Sequence, residues 1–492
     1  MLKKLFKNLL LGVLFCPIVG ILLLIIIPSN QKLLLKLIAL ISSSFSFLLS
    51  LLIWGKFNKS VVSFQFVVQY FWLPELNLNF TLGVDGISIL FLLLNTMLIP
   101  LCILHSWENV KFNLKFFLIA FLLLDFFLIG AFCIMDLLFF YVFFESILIP
   151  MYFIIGVWGS RERKILAAYY FFMYTLFGSS LMLIAIAYIF LQVGTTDYEL
   201  LLTFSFSSTE QKFLWLAFFM AFASKVPMIP FHLWLPEAHV EAPTAGSVLL
   251  AGVLLKLGTY GFIRFSLPLF PQASFYYAPF IDTIAVVSII YSSFSAIRQT
   301  DFKRIIAYSS IAHMNLVILG IFSFNVIGIE GAILQSLSHG FVASALFLLI
   351  GVVYDRYQTR LVIYYGGLSL VMPLFSIIFL FFTLANIAFP GSSSFVGEFL
   401  ILLGSFKTNK LITIIGATGI VISGAYSLWL FNRIVYGNLK TQYLNQFIDL
   451  NLRELLIFLP LILGTLITGV YPNFFLTTIH ISVNNLIENI YF

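Results

Sequence analysis

The sequence predicts an all-α polytopic membrane protein, with about fourteen transmembrane helices and two inverted five-helix repeats, each holding a broken helix. Three observations carry this. Of 492 residues, 61% are hydrophobic and 9% are charged, where soluble domains run near 25% charged. Fourteen apolar stretches approach or exceed the roughly 20 residues that a membrane-crossing helix needs. Two of those stretches carry proline-based breaks beside an ionisable residue: Lys225 before Pro227 and Pro230, and Glu398 after Pro390.

In chain order the stretches are 9–27, 33–54, 85–105, 114–134, 137–158, 166–191, 213–235, 244–265, 278–297, 303–323, 326–353, 371–404, 412–436 and 455–475. The first follows MLKKLFKNLL directly, is long enough to span, and has no small-residue cleavage site behind it, so it reads as a retained helix. The link 55–84 is extended and aromatic (VVSFQFVVQYFWLPELNLNF) and reads as a hairpin outside the bilayer. Residues 437–454 are mixed in polarity and read as a helix lying on the surface.

The repeats follow from hydropathy alone. Residues 1–113 form an N-terminal three-helix region. Residues 114–265 form a first five-helix unit broken at 225–230, and 278–436 a second broken at 390–394. A surface segment and a C-terminal helix fill 437–492. Five is odd, so the two units start on opposite sides of the membrane, an arrangement common in transporters. An even count of spans puts both termini on one side. Loop cations number eight on that side and fifteen on the other, so the termini face away from the cytoplasm or matrix. Arg264 lies near a helix end and is expected to snorkel.

Composition also narrows function. The net charge of +6 is spread over loops, which gives no nucleic-acid signal. Cys16, Cys102 and Cys133 sit in apolar runs without ligand spacing and read as small core residues. With no Cys/His cluster, Gly-rich nucleotide loop or nucleophile elbow, redox chemistry is not expected in this chain, nor a bound cofactor or metal. The abundance of Phe (58) fits an AT-rich organellar genome.

What remains is charge inside apolar runs. Glu145 lies in DLLFFYVFFESILIPMYFIIGVW, and Lys225 and Lys256 in equally apolar surroundings. A charge at the bilayer centre costs about 2.5–3.5 kcal/mol on insertion scales, so such groups are retained for ion paths or for structural ion pairs. Proline removes an N–H and clashes with the carbonyl four residues back, which opens backbone beside Lys225. Exposed backbone is tolerated at that depth only within protein or along a water-filled cavity. His313 has Ser309 one turn before it, and His339 has Gln335 and Ser336, so each apolar helix shows a short polar stripe. Buried histidines also serve as plain core residues. His232 and His239 flank the break, where most histidines are solvated or capping, and they form a second tier. Two sites ~10 Å apart at an effective dielectric of ~20 interact by about 1.7 kcal/mol, so protonating one shifts its neighbour.

These residues lie in motifs with a clear likeness. SKVPMIPFHLWLPEAHVEAPTAGSVLLAGVLLKLGTYG (224–261) resembles the signature of the antiporter-like subunits of respiratory complex I. FFESILIPM (143–151), RQTDFKRIIAYSSIAHMN (298–315), QSLSHG (335–340) and PGSSSFVGEF (390–399) resemble its subunit-4 group. The likeness covers the chain from about residue 85 onward. It implies proton translocation coupled to NADH:ubiquinone oxidoreduction, with FMN, iron–sulfur clusters and the NADH and ubiquinone sites in other subunits. It further implies neighbouring antiporter-like and other membrane-arm subunits as partners, and contact with membrane lipids; with the composition, the reading is a mitochondrial inner-membrane location, and the loop cations put the termini on the intermembrane-space side. Carried over by motif, Glu145 is the carboxylate of a first half-channel, Lys225 its broken-helix partner and Lys256 a connecting lysine. His313 and His339 are central relay groups, and Glu398 is the terminal exit site. Ala312 and Ala245 depart from the family's usual serine and proline, which touches local hydration only. Other readings are a subunit of a multi-subunit sodium/proton antiporter, a plastid or bacterial homologue, and a membrane scaffold without transport.

Overall fold

Twelve helices among the described residues are long and apolar enough to cross a membrane, and they coincide with twelve of the fourteen expected stretches. The remaining two are the stretches that proline interrupts, so the count of fourteen rests on how each broken pair is counted. The structure, a computed structural model, describes residues 2–73, 75, 77–442 and 448–491.

The first helices are α1 (Leu2–Ile26), α2 (Lys32–Lys56), α3 (Gly86–Asn109) and α4 (Leu114–Cys133). Between α2 and α3, strands β1 (Gln65–Leu73) and β2 (Leu78–Val84) pair antiparallel, so the expected hairpin forms. Next come α5 (Leu137–Ser146), α6 (Leu148–Trp158), α7 (Lys164–Val193), the single turn α8 (Tyr198–Leu201), α9 (Ser208–Lys225), α10 (Trp234–Glu241) and α11 (Thr244–Leu249). Then follow α12 (Leu255–Gly261), the short α13 (Leu267–Leu269), α14 (Pro271–Ile297), α15 (Phe302–Ile321), α16 (Val326–Tyr357) and α17 (Leu368–Val371). The chain ends with α18 (Pro373–Asn386), α19 (Ser393–Thr408), α20 (Lys410–Val435), α21 (Leu452–Val470) and α22 (Asn473–Tyr491).

The chain divides into two compact units. One holds Met1–Val226, Val253–Ala278 and Thr477–Phe492, the other Pro227–Gly252 and Pro279–Leu476. Within the first, aromatic packing does much of the work. Phe140 meets Phe265 with ring centroids 4.5 Å apart, and Phe144 meets Phe222 at 6.1 Å. Within the second, α16 is buried along almost its whole length. Gly397 brings α19 against it, since a Cβ there would lie 2.8 Å from the Gln335 backbone.

Two local expectations are refined and two corrected. The stretch 137–158 spans as expected but with a seam: α5 stops at Ser146 and α6 resumes at Leu148. Pro150 has no N–H to give the Ser146 carbonyl, which explains the seam beside Glu145. The stretch 244–265 contains two π-helical turns, Leu250–Leu254 and Phe262–Ser266, on either side of the α-turn bearing Lys256. Such turns are rare and concentrate at functional sites. The described residues of 437–454 that precede α21 are turn and irregular chain, not helix, while 443–447 lie outside the described residues. Asp449 there is committed elsewhere: its carboxylate accepts the Leu374 and Phe375 N–H groups that open α18.

Arg264 does not snorkel. It is 6% exposed and paired with Asp85 at 2.6 Å, with the Phe64, Tyr198 and Tyr260 rings 5.0 to 5.5 Å from its guanidinium. A fixed partner and aromatic faces replace the water that snorkelling would seek.

Candidate functional site

Helix α9 starts at a capping box, in which Ser207 and Glu210 satisfy each other's neighbouring N–H groups. It ends at Lys225, just before Pro227. Lys225 is 1% exposed. Its Nζ has no hydrogen-bond partner and lies 4.5 Å from the centre of the Phe144 ring. Gly258 of α12 makes this packing possible. A Cβ there would lie 2.5 Å from the Val226 side chain and 2.9 Å from the Phe222 carbonyl oxygen.

Glu145 is half-buried, with its Oε1 enclosed and unpartnered. It interacts electrostatically with Lys225, and Ser179 of α7 lies beside it. The two charges are not in ion-pair contact. The unit therefore holds a carboxyl and an amine near each other but not in contact. Lys256 is fully buried in the same unit.

The second unit builds its site differently. The break at Pro390 ends α18 at Asn386 and begins α19 at Ser393, with Gly391 at φ +93°, a left-handed conformation that glycine adopts without strain. Ser338 of α16 lies 2.7 Å from both the Ser393 and Ser394 hydroxyls at this new helix start. One turn further on, Glu398 is 3% exposed, and its Oε1 accepts from Gln335 Nε2 at 2.9 Å and lies 2.8 Å from His313 Nδ1. His339 follows, its ring centre 6.0 Å from that of His313. One hydrogen lies between Glu398 Oε1 and His313 Nδ1 at this distance, and the Gln335 amide donates to the same oxygen.

The second-tier histidines are neither solvated nor capping. His232 is buried with its ring edge-on to Tyr291, and His239 is stacked on Phe347 at 4.7 Å with planes 5° apart. Close by, the bend after α10 is held by two cations expected in loops but found buried. Lys303 Nζ donates to the Ala242 carbonyl at 2.7 Å, and Arg360 donates to the Val240 carbonyl.

Thus Glu145 and Lys225 are neighbours in one unit, which also buries Lys256. His313, His339 and Glu398 are neighbours in the other. Two residues were passed over in the sequence. Gln335 was legible only as part of a polar stripe, since its partner lies on another helix. Asp125 was legible outright: a carboxylate in FLLLDFFLIG meets the criterion that singles out Glu145. Among the described residues no group of His, Cys, Asp and Glu is arranged to hold a metal ion.

Residues 134–423 match the model of a family described as NADH:quinone oxidoreductase/Mrp antiporter, TM. A relative from Arabidopsis thaliana, NADH-ubiquinone oxidoreductase chain 4, is 57% identical over 478 residues, covering 97% of each chain. The protein of that name from Chondrus crispus is 56% identical over 485 residues, 99% of this chain and 98% of its own. Among solved structures, a chain of respiratory complex I from Thermus thermophilus with bound NADH superposes with a TM-score of 0.88 at 30% identity, over 98% of this chain and 99% of that one. The chain belongs to the NADH:quinone oxidoreductase/Mrp antiporter transmembrane family.

Proposed function

We propose that protons are carried at two sets of buried groups, Glu145, Lys225 and Lys256 in the first unit and His339, His313 and Glu398 in the second. The chain is a core membrane-arm subunit of proton-pumping NADH:ubiquinone oxidoreductase. It is a multi-pass inner-membrane protein and works beside other membrane-arm subunits, antiporter-like ones among them. The relatives are eukaryotic, which supports the mitochondrial inner membrane, with both termini on the intermembrane-space side as the loop cations suggest. NADH, FMN, the iron–sulfur clusters and ubiquinone are then handled by other subunits.

The observation that carries the reading is the buried Glu398–His313 contact at 2.8 Å, with Gln335 on the same oxygen. A pair of bases with one proton between them takes up or gives up that proton when a nearby charge changes, because at low dielectric such a charge is felt strongly. Glu145 and Lys225 supply the complementary behaviour. While the carboxylate is near, the ammonium form of Lys225 is favoured, and when it withdraws or is neutralised, burial favours release of the proton. The two prolyl breaks give each set open backbone and a place for water, in keeping with two inverted repeats, 114–265 and 278–436.

The test is Glu398→Gln in the assembled complex, reconstituted in vesicles. Acidification per electron and the rate of coupled quinone reduction should both fall. An unchanged ratio and rate would take Glu398 out of the path. Mild detergent extraction checks the setting: flavin and iron–sulfur proteins should come with the chain, and extraction without them would favour a free-standing antiporter.

A further inference from the structure

The first four helices enclose a buried carboxylate that the broken-helix sites do not use. Asp125 of α4 is fully buried. Asn95 of α3 donates from Nδ2 to Asp125 Oδ1 at 2.9 Å, and Ser46 Oγ of α2 lies 3.4 Å from Oδ2. Among the described residues Asp125 has no ion-pair partner. Cys16 of α1, Ser46 and Asn95 lie near it, none of them a cation.

Few hydrogens reach the carboxyl. A serine hydroxyl has one hydrogen. Ser46 Oγ lies 2.7 Å from the Ser43 carbonyl oxygen, which only accepts, so its hydrogen goes there. Asp125 Oδ2, 3.4 Å from Ser46 Oγ, then receives at most a weak share of that hydrogen. An ionised carboxylate buried without a cation costs far more than the neutral acid, whose O–H needs only an acceptor. The Asn95 Oδ1, also buried, has no hydrogen-bond partner, so an acceptor stands open beside the carboxyl. One turn along α2, on the same face, Ser50 Oγ lies 2.8 Å from Thr96 Oγ1, and each hydroxyl also reaches a carbonyl of its own helix.

The geometry points to Asp125 as a further proton-binding site, a neutral carboxylic acid held among α2, α3 and α4 and reached through the Ser46–Ser50–Thr96 hydroxyls. It stands apart from the reading of the broken-helix sites and holds or fails independently of it.

Infrared difference spectra of the intact complex against the complex carrying Asp125→Asn test this. The native complex should show a protonated carboxylic acid C=O band that shifts in D₂O and is lost in the variant. Ser46→Ala and Thr96→Val, which keep the acid, should retain the band and slow its shift on transfer to D₂O. If Asp125→Asn assembles and removes no acid band, Asp125 is ionised and the proposal fails. If Asp125→Asn does not assemble, the hydroxyl variants decide alone: exchange as fast as native overturns the site, and slowed exchange supports it.

Discussion

The carboxylates Glu145 and Glu398 lie beside prolines and belong to one proposed activity, yet their surroundings differ. Glu398 is locked. It is enclosed between α15, α16 and α19, with an imidazole at 2.8 Å and an amide at 2.9 Å on the same oxygen. Glu145 is loose. It is half-buried at the seam between α5 and α6, with one oxygen unpartnered and its lysine near but not in contact. Lys225 rests instead on the Phe144 ring. On the proposed function, the locked dyad would answer to a neighbour's charge by moving a proton over a fixed distance, and the loose pair by moving apart. The first would then act as a relay and the second as a switch.

The largest expected effect tests the relay. Glu398→Gln leaves the His313 and Gln335 nitrogens in place but removes the shared acid. Coupled quinone reduction by the assembled complex should fall at least about tenfold, the change that about 1.4 kcal/mol of lost stabilisation gives. A variant that keeps native rates would erase the contrast. Next in size is the switch. Glu145→Gln or Lys225→Ala should leave the complex assembled and lower both pumping and quinone reduction severalfold. Because the pair is not in contact, neither variant strands a hydrogen-bonded partner, so assembly measured on native gels should match wild type. Normal pumping with Glu145→Gln would remove the switch.

Packing gives a smaller, sharper test. Gly258→Ala places a methyl 2.5 Å from the Val226 side chain and 2.9 Å from the Phe222 carbonyl oxygen. Overpacking of this kind costs about 1–3 kcal/mol, and pushing α12 off the end of α9 should disturb Lys225. Thermal unfolding reads the first effect and pumping the second; a fully stable, fully active variant would show that the close approach is incidental.

The smallest effect lies at the start of α9. Hydrogen bonds from Ser207, Gln192 and Tyr188 hold the Glu210 carboxyl down at about 2. Its value is lower folded than unfolded, so its contribution is complete above the ordinary carboxylate range and fades as pH falls through the folded value. Glu210→Ala should therefore speed amide exchange in the first turn of α9 at neutral pH, and the difference from wild type should shrink as the pH approaches about 2. A difference that persists there would assign the effect to packing.

Much of this was legible in the residues. Hydropathy is a sum over consecutive side chains, so Leu9–Ile26 or Val326–Tyr357 announces itself without a neighbour. Proline acts on the carbonyl four residues before it, so the breaks at Pro227 and Pro390 were equally local. Lys225, Lys256 and Glu398 stood out because a charge in an apolar run is costly wherever the run packs. What was hidden depends on rotation about helix axes and on how closely two axes approach. That Gln335 faces Glu398 follows from Gly397 admitting α16. That Arg264 finds Asp85 follows from the turn of its helix, which no spacing in the sequence specifies. The π-helical turns around Lys256 are of the same kind, since they answer to neighbouring helices more than to the residues within them.

The sequence by itself determined a membrane-spanning helical chain, its two breaks and the titratable residues beside them, because burial in hydrocarbon and the missing proline N–H act on one segment at a time. Only the tertiary structure decided which of those residues touch. Contact at 2.8 Å is a property of two helices at once, set by the side chains that keep their axes apart and the glycines that let them meet.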